Sequence, residues 1–454
     1  MIASYSPQQP KDRVIEVPES DAAGVHAAFA RARTGQAGWV DAPAGARASA
    51  LATAADTVAA AADELSTLMV REVGKPLGEA KGEVARSVAI LRYYAQQVFD
   101  PVGAVHEPSS RGLLLTQRRP RGVAGLITPW NFPLAIPLWK AAPALAFGNA
   151  VVLKPAPEAT ACGLRLVELI ASALPDGLLG CVPGDAVAGR AIVAEADVIS
   201  FTGSTATGNL VAQAAAQRGV PVQAEMGGQN PAIVLPDADL DAAAAQIANA
   251  AAGYAGQKCT ATKRVIVVGD TGPFRDAFVN AVEALVVGDP ADPDVLVGPV
   301  IDKGARDRVR GAAEDAERVG GRVLTGGVAL DQDGWFVAPT VVEGVPANHT
   351  LACEEVFGPI CLVQAAADLD DAVALANSVP YGLTAAVYTR DLGTALATSQ
   401  RLDAGQIKVN APTTGVDFYL PFGGEKASSV GPREQGKAAQ EFFTSLHTIT
   451  LAPA

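Results

Sequence analysis

Cysteine and histidine are scarce in this 454-residue chain, with 5 of the first and 4 of the second. The cysteines, at positions 162, 181, 259, 353 and 361, form no C-x-x-C pair and are odd in number. That leaves no basis for a disulfide framework or a structural zinc site. His26, His106, His349 and His447 are scattered, so a His-based metal centre or a Ser–His or Cys–His dyad has no support, and no metal is expected. Positive charge is also short. Thirty-five Lys and Arg face 48 Asp and Glu, a net charge of −13, and an acidic surface repels phosphate backbones, which argues against nucleic acid as a partner. The densest basic cluster, "TQRRPRG" at 116–122, reads as a solvated or interface feature. Long apolar runs are missing too. The most apolar region, 123–153, is interrupted by Pro129, Pro133, Pro137 and Pro143 and by Asn131 and Lys140, whereas a membrane span needs about 20 nearly unbroken apolar residues. The N-terminus has no basic segment followed by an apolar run, so no secretory signal is expected. G-x-S-x-G, G-x-x-x-x-G-K-[ST] and S-x-x-K are all lacking. A soluble protein of a reducing cytoplasm, touching neither membrane nor nucleic acid, is the expectation.

What is present is core-forming material. Hydrophobic residues make up 49% and charged ones 18%, enough for two or three lobes. The first hundred residues read as helices. Val84, Val88, Leu91, Ala95 and Val98 recur at three- and four-residue steps, as do Leu51, Val58, Leu65 and Leu68. From about residue 120 the period changes to short β-branched runs bounded by Gly, Pro or Asn: "GVAGLIT", "NAVVLKP", "ADVISFTG", "VPVQAEMGG" and "NPAIVLP". Helical stretches at 160–173 and 205–217 separate several of them. Strands alternating with helices predict a parallel, doubly wound α/β sheet. A second alternation, with helices at 238–252, 273–286 and 302–319 and strands at "KRVIVV", "PICLVQAA", "LTAAVYT" and "GQIKVN", predicts a second α/β lobe. "HTITLAP" near the C-terminus suits an edge strand or a partner contact.

Four polar groups sit beside strands among glycines or prolines: Asn131 in "TPWNFPL", Glu225 in "AEMGGQNP", Cys259 in "GQKCT" and Glu355 in "EEVFGP". A thiol, a carboxylate and an amide are the parts of a covalent machine, supplying nucleophile, base and oxyanion donor. Singly, each has a plainer reading: a lone cysteine is usually a small buried hydrophobe, and a Glu after a strand is usually solvated. "SFTGSTATG" at 200–208 is a strand, a turn of small residues and a helix start, where free backbone N–H groups suit a pyrophosphate. Lys154, closing "AVVLKP", can reach a ribose or phosphate, or lie exposed.

Taken together, "ITPWNFPL", "NAVVLKPAPE", "FTGSTATG", "EMGGQNP", "GQKCTATKR", "EEVFGP", "YGLTAAVYT" and "PFGGEKASSVGPREQG" resemble the aldehyde dehydrogenase superfamily, in its motif order and from about residue 14 onward. A longer N-terminal segment seen in many relatives has no counterpart here. The resemblance implies an α/β fold of two lobes, cofactor-binding and catalytic, with a small β oligomerisation element. Its boundaries would be 1–101 and 121–227 for the dinucleotide-binding domain, 228–434 for the catalytic domain, and 102–120 with 435–454 for the oligomerisation element of a homodimer or homotetramer. It implies oxidation of an aldehyde with NAD or NADP. Cys259 would be the nucleophile, forming a thiohemiacetal and then a thioester. Asn131 and the Cys259 N–H would be the oxyanion hole, and Glu225 the base for the hydrolytic water. Around the cofactor it places Thr128, Pro129, Trp130, Lys154, Gly203, Ser204, Gly227, Glu355 and Phe357.

The departures bear on specificity. Three residues beyond Lys154, where NAD-preferring relatives carry a glutamate, stands Pro157, with Glu158 next to it; losing a carboxylate there removes repulsion toward a 2′-phosphate, so use of both cofactors is expected. Six residues before Cys259, where succinic semialdehyde enzymes tend to carry an arginine, stands Gly253, and a second such arginine falls at Trp139. With Ile136 and Phe418 or Tyr419 these give an apolar funnel suited to neutral aliphatic or aromatic aldehydes, because a carboxylate buried without a cation is costly. The tail "VNAPTTGVDFYLPFGGEKASSVGPREQG" instead looks like that of 2-oxoglutarate semialdehyde (2,5-dioxopentanoate) dehydrogenases, which is the alternative substrate. A CoA-acylating relative has no need of Glu225. A catalytically silent binding protein on the same fold has no need of Cys259, Asn131, Glu225 and Glu355 together.

Overall fold

Runs such as Val123–Ile127, Ala150–Lys154 and Val198–Thr202 are buried at every position, as strands covered on both faces must be. In the computed structural model, which describes residues 1–453, they form a six-stranded sheet. Its order is Ser429–Val430, Val222–Glu225, Val198–Thr202, Val123–Ile127, Ala150–Lys154 and Leu179–Cys181. All pairings are parallel except that of Ser429–Val430, which comes from far down the chain and runs antiparallel to Val222–Glu225. Chain order reverses between Val123–Ile127 and Val198–Thr202, and ligands of open α/β sheets bind beyond the carboxyl ends of strands at such a reversal. Thr128–Asn131 leave the first of these strands and Gly203–Ser204 the second.

A seven-stranded sheet follows in the order Arg322–Thr325, Thr340–Glu343, Ile360–Ala366, Thr262–Val268, Asn230–Val234, Thr384–Tyr388 and Gln406–Val409. Only the edge strand Arg322–Thr325 is antiparallel. Asn131 and Glu225 lie at carboxyl ends of strands, but Cys259 and Glu355 precede Thr262–Val268 and Ile360–Ala366. The amino edge of the second sheet is therefore what meets the carboxyl edge of the first.

The helices expected over the first hundred residues are present at Ala22–Trp39, Ala44–Ala60, Ala62–Val73 and Leu77–Gln97. The reading needs one correction: Ile2–Tyr5 and Arg13–Val17 form a hairpin ahead of them. Ile2 and Ser4 are buried while Tyr5 is exposed, an alternation too short to stand out in the sequence. What fixes the hairpin is remote in sequence. Ser4 Oγ donates to Glu72 Oε1 across 2.6 Å, and the buried Glu72 carboxylate accepts the N–H groups of Ala161 and Cys162, both at 2.7 Å, at the start of the Thr160–Ala171 helix.

Gly103–His106, Leu113–Pro120 and Thr444–Leu451 make a separate three-stranded antiparallel sheet. Val105, Leu113, Leu446 and Leu451 are exposed on it. Among the described residues, no helix is long and apolar enough to cross a membrane.

Candidate active site

The segment ahead of Cys259 is held in an unfavourable backbone shape. Tyr254, Ala255 and Gly256 have φ of 53°, 52° and 63°, and for residues with a Cβ the left-handed region costs about 1–3 kcal/mol each unless the surroundings impose it. Here they do. The Tyr254 ring is buried and its hydroxyl donates to Val73 O at 3.2 Å. A Cβ at residue 256 would lie 2.3 Å from Gly358 O, so only glycine fits. Lys263 Nζ donates to Gly256 O at 2.9 Å and to Gly358 O at 2.7 Å. The Gln257 amide donates to Tyr254 O and Pro299 O and accepts from Ile301 N. Beyond the cysteine, Asn230 Nδ2 donates to Cys259 O and Ala261 O, both at 2.8 Å. Cys259 is thus presented on a hook pinned at both ends.

Asn131 reaches the same hook from the other sheet: its Nδ2 donates to Gln257 O at 2.9 Å. Its loop is anchored by Glu83, whose Oε1 accepts Leu134 N and Ala135 N at 2.9 and 3.0 Å and whose Oε2 pairs with the buried Lys75 ammonium. That ammonium stands 3.8 Å over the Phe132 ring and 4.7 Å from that of Tyr254.

Cys259 and Asn131 open into a cleft of about 430 Å³ whose walls include Pro129, Trp130, Ile136, Gly203, Ser204, Gly227, Glu355 and Phe357. Its chemistry fits a dinucleotide. The Thr205–Arg218 helix begins there with Ser204 as its cap, so backbone N–H groups face the cleft where a pyrophosphate is stabilised. Gly227 has no Cβ because one would sit 2.3 Å from Glu355 Oε2. Glu355 Oε1 and Thr202 Oγ1 are buried without a partner among the described residues, as polar groups that await a ligand are. The Trp130 and Phe357 rings meet edge-on at 5.7 Å.

Electrostatically the Cys259 end of the cleft is acidic. Burial pushes the Cys259 thiol well above its ordinary range, and the carboxylates of Glu355, Glu225 and Glu434 push it further. Burial likewise raises Glu225, helped by Glu434 and opposed by the hydrogen bond from Ser429 Oγ to Glu225 Oε2 at 2.6 Å. Glu355 is raised by burial against the pull of Lys263.

Of the residues singled out from sequence, Pro129, Trp130, Asn131, Ile136, Gly203, Ser204, Gly227, Cys259, Glu355 and Phe357 share the cleft. Glu225 is off its wall, bonded by Ser429, yet close enough for its charge to act on Cys259. Thr128 is buried beside the cleft. Lys154 Nζ is folded onto Pro155 O and Gly184 O. Trp139 is buried, its Nε1 donating to Glu434 Oε2 at 2.7 Å. Phe418 packs edge-on against Tyr93 at 5.7 Å and against the exposed Tyr419. Gly253 lies within the hook. Sequence reasoning missed Asp302 and Arg308, which put a carboxylate and a guanidinium on the cleft wall. Asp302 was legible as the cap of a helix, since its Oδ1 accepts Ala305 N at 2.6 Å, but not as a wall of a site built by two lobes.

The chain resembles known proteins along nearly its whole length. The family model described as "Aldehyde dehydrogenase family" matches residues 1–449. The chain is 38% identical to the α-ketoglutaric semialdehyde dehydrogenase of Bacillus subtilis, over 100% of this chain and 95% of that protein. It is also 38% identical to a betaine aldehyde dehydrogenase of Cereibacter sphaeroides, over 96% and 91%. The crystal structure of an NAD-dependent aldehyde dehydrogenase from Sinorhizobium meliloti superposes with a TM-score of 0.96 at 33% identity, covering 100% of this chain and 92% of that one.

Proposed function

The chain belongs to the aldehyde dehydrogenase family, and from that premise we propose that it oxidises an aldehyde to its carboxylic acid at Cys259, with NAD or NADP as acceptor. One observation carries the assignment of residues: Cys259 and Asn131 share a cleft with Gly203, Ser204, Gly227, Glu355 and Phe357. Pro129, Trp130, Gly203, Ser204 and Phe357 would hold the cofactor, with Glu355 on a ribose and Thr128 and Lys154 behind them. When bound, the cofactor supplies the acceptor for the two electrons that the aldehyde carbon loses.

The remaining steps belong to the protein. The Cys259 thiolate attacks the aldehyde carbon, forming a C–S bond and an alkoxide. Asn131 already has one N–H on Gln257 O; its second, with the Cys259 N–H, stabilises that alkoxide. Oxidation leaves a thioester on Cys259. Glu225, swinging from Ser429, takes a proton from the water that attacks the thioester, and the acid leaves as the thiol re-forms. Gln257, Asn230 and Lys263 position the nucleophile through its backbone.

The two relatives at 38% identity carry different substrate names, so likeness narrows the reaction rather than the aldehyde. A neutral aldehyde is supported by Ile136 on the cleft wall, an acidic semialdehyde by the Bacillus relative. The exposed apolar side chains on the three-stranded sheet support a homodimer or homotetramer. The five unpaired cysteines support a cytoplasmic location. The test is absorbance of reduced cofactor with NAD⁺ or NADP⁺ against an aldehyde panel. Turnover that survives Cys259→Ala would remove the assignment.

A further inference from the structure

Asn131 and Cys259 are on the cleft wall, but Phe132, which follows the first, and Lys258, which precedes the second, are not. They gather around Tyr254 instead: the Lys75 ammonium stands over the Phe132 and Tyr254 rings, and Lys258 Nζ lies beside Gly253. If the cofactor fills the cleft, an aldehyde tail has this side to run along.

Two lysines approach this side. Lys75 cannot serve a ligand. It is fully buried, paired to Glu83 and covered by the Phe132 ring, and both Glu83 oxygens are already engaged. Lys258 differs. Its side chain retains 13% accessibility and its only hydrogen bond among the described residues goes to Glu79 Oε1, at 2.7 Å. An ammonium has three donors, so two remain. Glu79, on the first turn of the Leu77–Gln97 helix, is the more open partner at 30% and can turn to water.

Gly253 packs beside the pair. Its φ of −55° is open to any residue; a Cβ there would crowd Asn249 Oδ1 at 2.8 Å and make ordinary contact with Glu79 Oε1 at 3.5 Å and Lys258 Nζ at 3.6 Å.

We propose that Lys258, held in reserve by Glu79, recognises a carboxylate at the far end of the aldehyde, so that the preferred substrates are semialdehydes of dicarboxylic or oxo-dicarboxylic acids. The proposal rests on Cys259 being the nucleophile. Glu79 competes with the incoming carboxylate for the same cation, and displacing it toward water exchanges one charge-assisted hydrogen bond for another. The cost of burying a carboxylate in an aromatic funnel is thereby met by a partner already in place.

The two members of the pair should act with opposite sign. The measurement is kcat/KM for 2-oxoglutarate semialdehyde and succinic semialdehyde divided by that for hexanal, in wild type, Lys258→Gln, Lys258→Arg and Glu79→Gln. Melting temperatures should be taken alongside. Lys258→Gln should lower the ratio roughly tenfold or more, through KM, while Lys258→Arg keeps it within about threefold and Glu79→Gln raises it. KM for the acidic aldehydes should rise with salt, and that for hexanal should not. A ratio unmoved by Lys258→Gln, or moved equally by Lys258→Arg, overturns the proposal and leaves neutral aldehydes as the substrates. If no aldehyde is oxidised, or Cys259→Ala is as active as wild type, the underlying reading fails instead.

Discussion

Asn131 Nδ2 donates to Gln257 O across 2.9 Å, so an amide from one sheet is locked to the backbone two residues before Cys259, which the other carries. The bond settles the rotamer of Asn131 before any substrate arrives, which is the preorganisation that an oxyanion donor needs. Asn131→Ala should lower kcat by about 10²–10³. Modification of Cys259 by iodoacetamide should continue at close to the wild-type rate, because Gln257 keeps its bonds to Tyr254, Pro299 and Ile301. Loss of thiol reactivity along with kcat would instead show Asn131 to be a structural prop.

The charges around Cys259 make a prediction about pH. Burial and three carboxylates raise its thiol, and only the thiolate is nucleophilic. In the protein without cofactor, the alkylation rate should therefore keep rising about tenfold per pH unit beyond about pH 8.5, where an ordinary thiol levels off. Glu355→Gln removes one of those negative charges and should raise the rate at pH 8. A plateau near pH 8 in wild type would contradict the environment described here.

Much of this was legible in the sequence because it is local. Strand runs bounded by Gly and Pro, the cap at Ser204 and the glycines at 203 and 227 each announce themselves within a few residues. The ordered motifs placed Asn131, Cys259 and Glu355 in one site, and the cleft brings those three together. What could not be read depends on packing across long separations. The N-terminal hairpin is secured by Glu72, Asp302 and Arg308 join the cleft only when the lobes meet, and the Lys258–Glu79 pair joins residues 179 apart in sequence. Gly253 read as the loss of a cation from the funnel. A Cβ there would crowd Asn249 Oδ1 at 2.8 Å and only touch Glu79 and Lys258, a packing relationship that no periodicity reveals.

Glu225 rests on Ser429 with its carboxyl raised, so it can take a proton only after it ionises and leaves that bond. Glu225→Gln should spare attack and oxidation and stop hydrolysis. Mixing the variant with cofactor and aldehyde should give a burst approaching one reduced cofactor per active site, followed by a steady rate lower by about 10²–10⁴. In wild type, hydrolysis should quicken as pH rises through the raised carboxyl. Loss of the burst together with the steady rate would place Glu225 in the first half-reaction.

Glu158 offers a test of cofactor preference. Pro157 opens a short helical turn, Pro157–Ala159, and this carries the next residue, Glu158, onto the cleft wall with Asp302. Where the adenosine ribose approaches that wall, the carboxylate missing at one position would be supplied by its neighbour, and repulsion toward a 2′-phosphate would be kept. Burial raises the Glu158 carboxyl and Asp302 adds to the effect, while Lys154 opposes it. A raised carboxyl protonates earlier as pH falls, so the ratio of kcat/KM for NADP⁺ to that for NAD⁺ should climb on acidification. Glu158→Gln should lift that ratio roughly tenfold at neutral pH, the change expected from removing one like charge at close range, and should flatten its pH dependence. Arg308→Ala separates this from a general loss of affinity, since a guanidinium on the wall attracts the phosphates common to both cofactors and its removal should weaken the two together. If Glu158→Gln leaves the ratio and its pH profile where they were, the adenosine end of the cofactor does not approach the Pro157–Ala159 turn, and selectivity between NAD⁺ and NADP⁺ has to be sought on another part of the cleft wall.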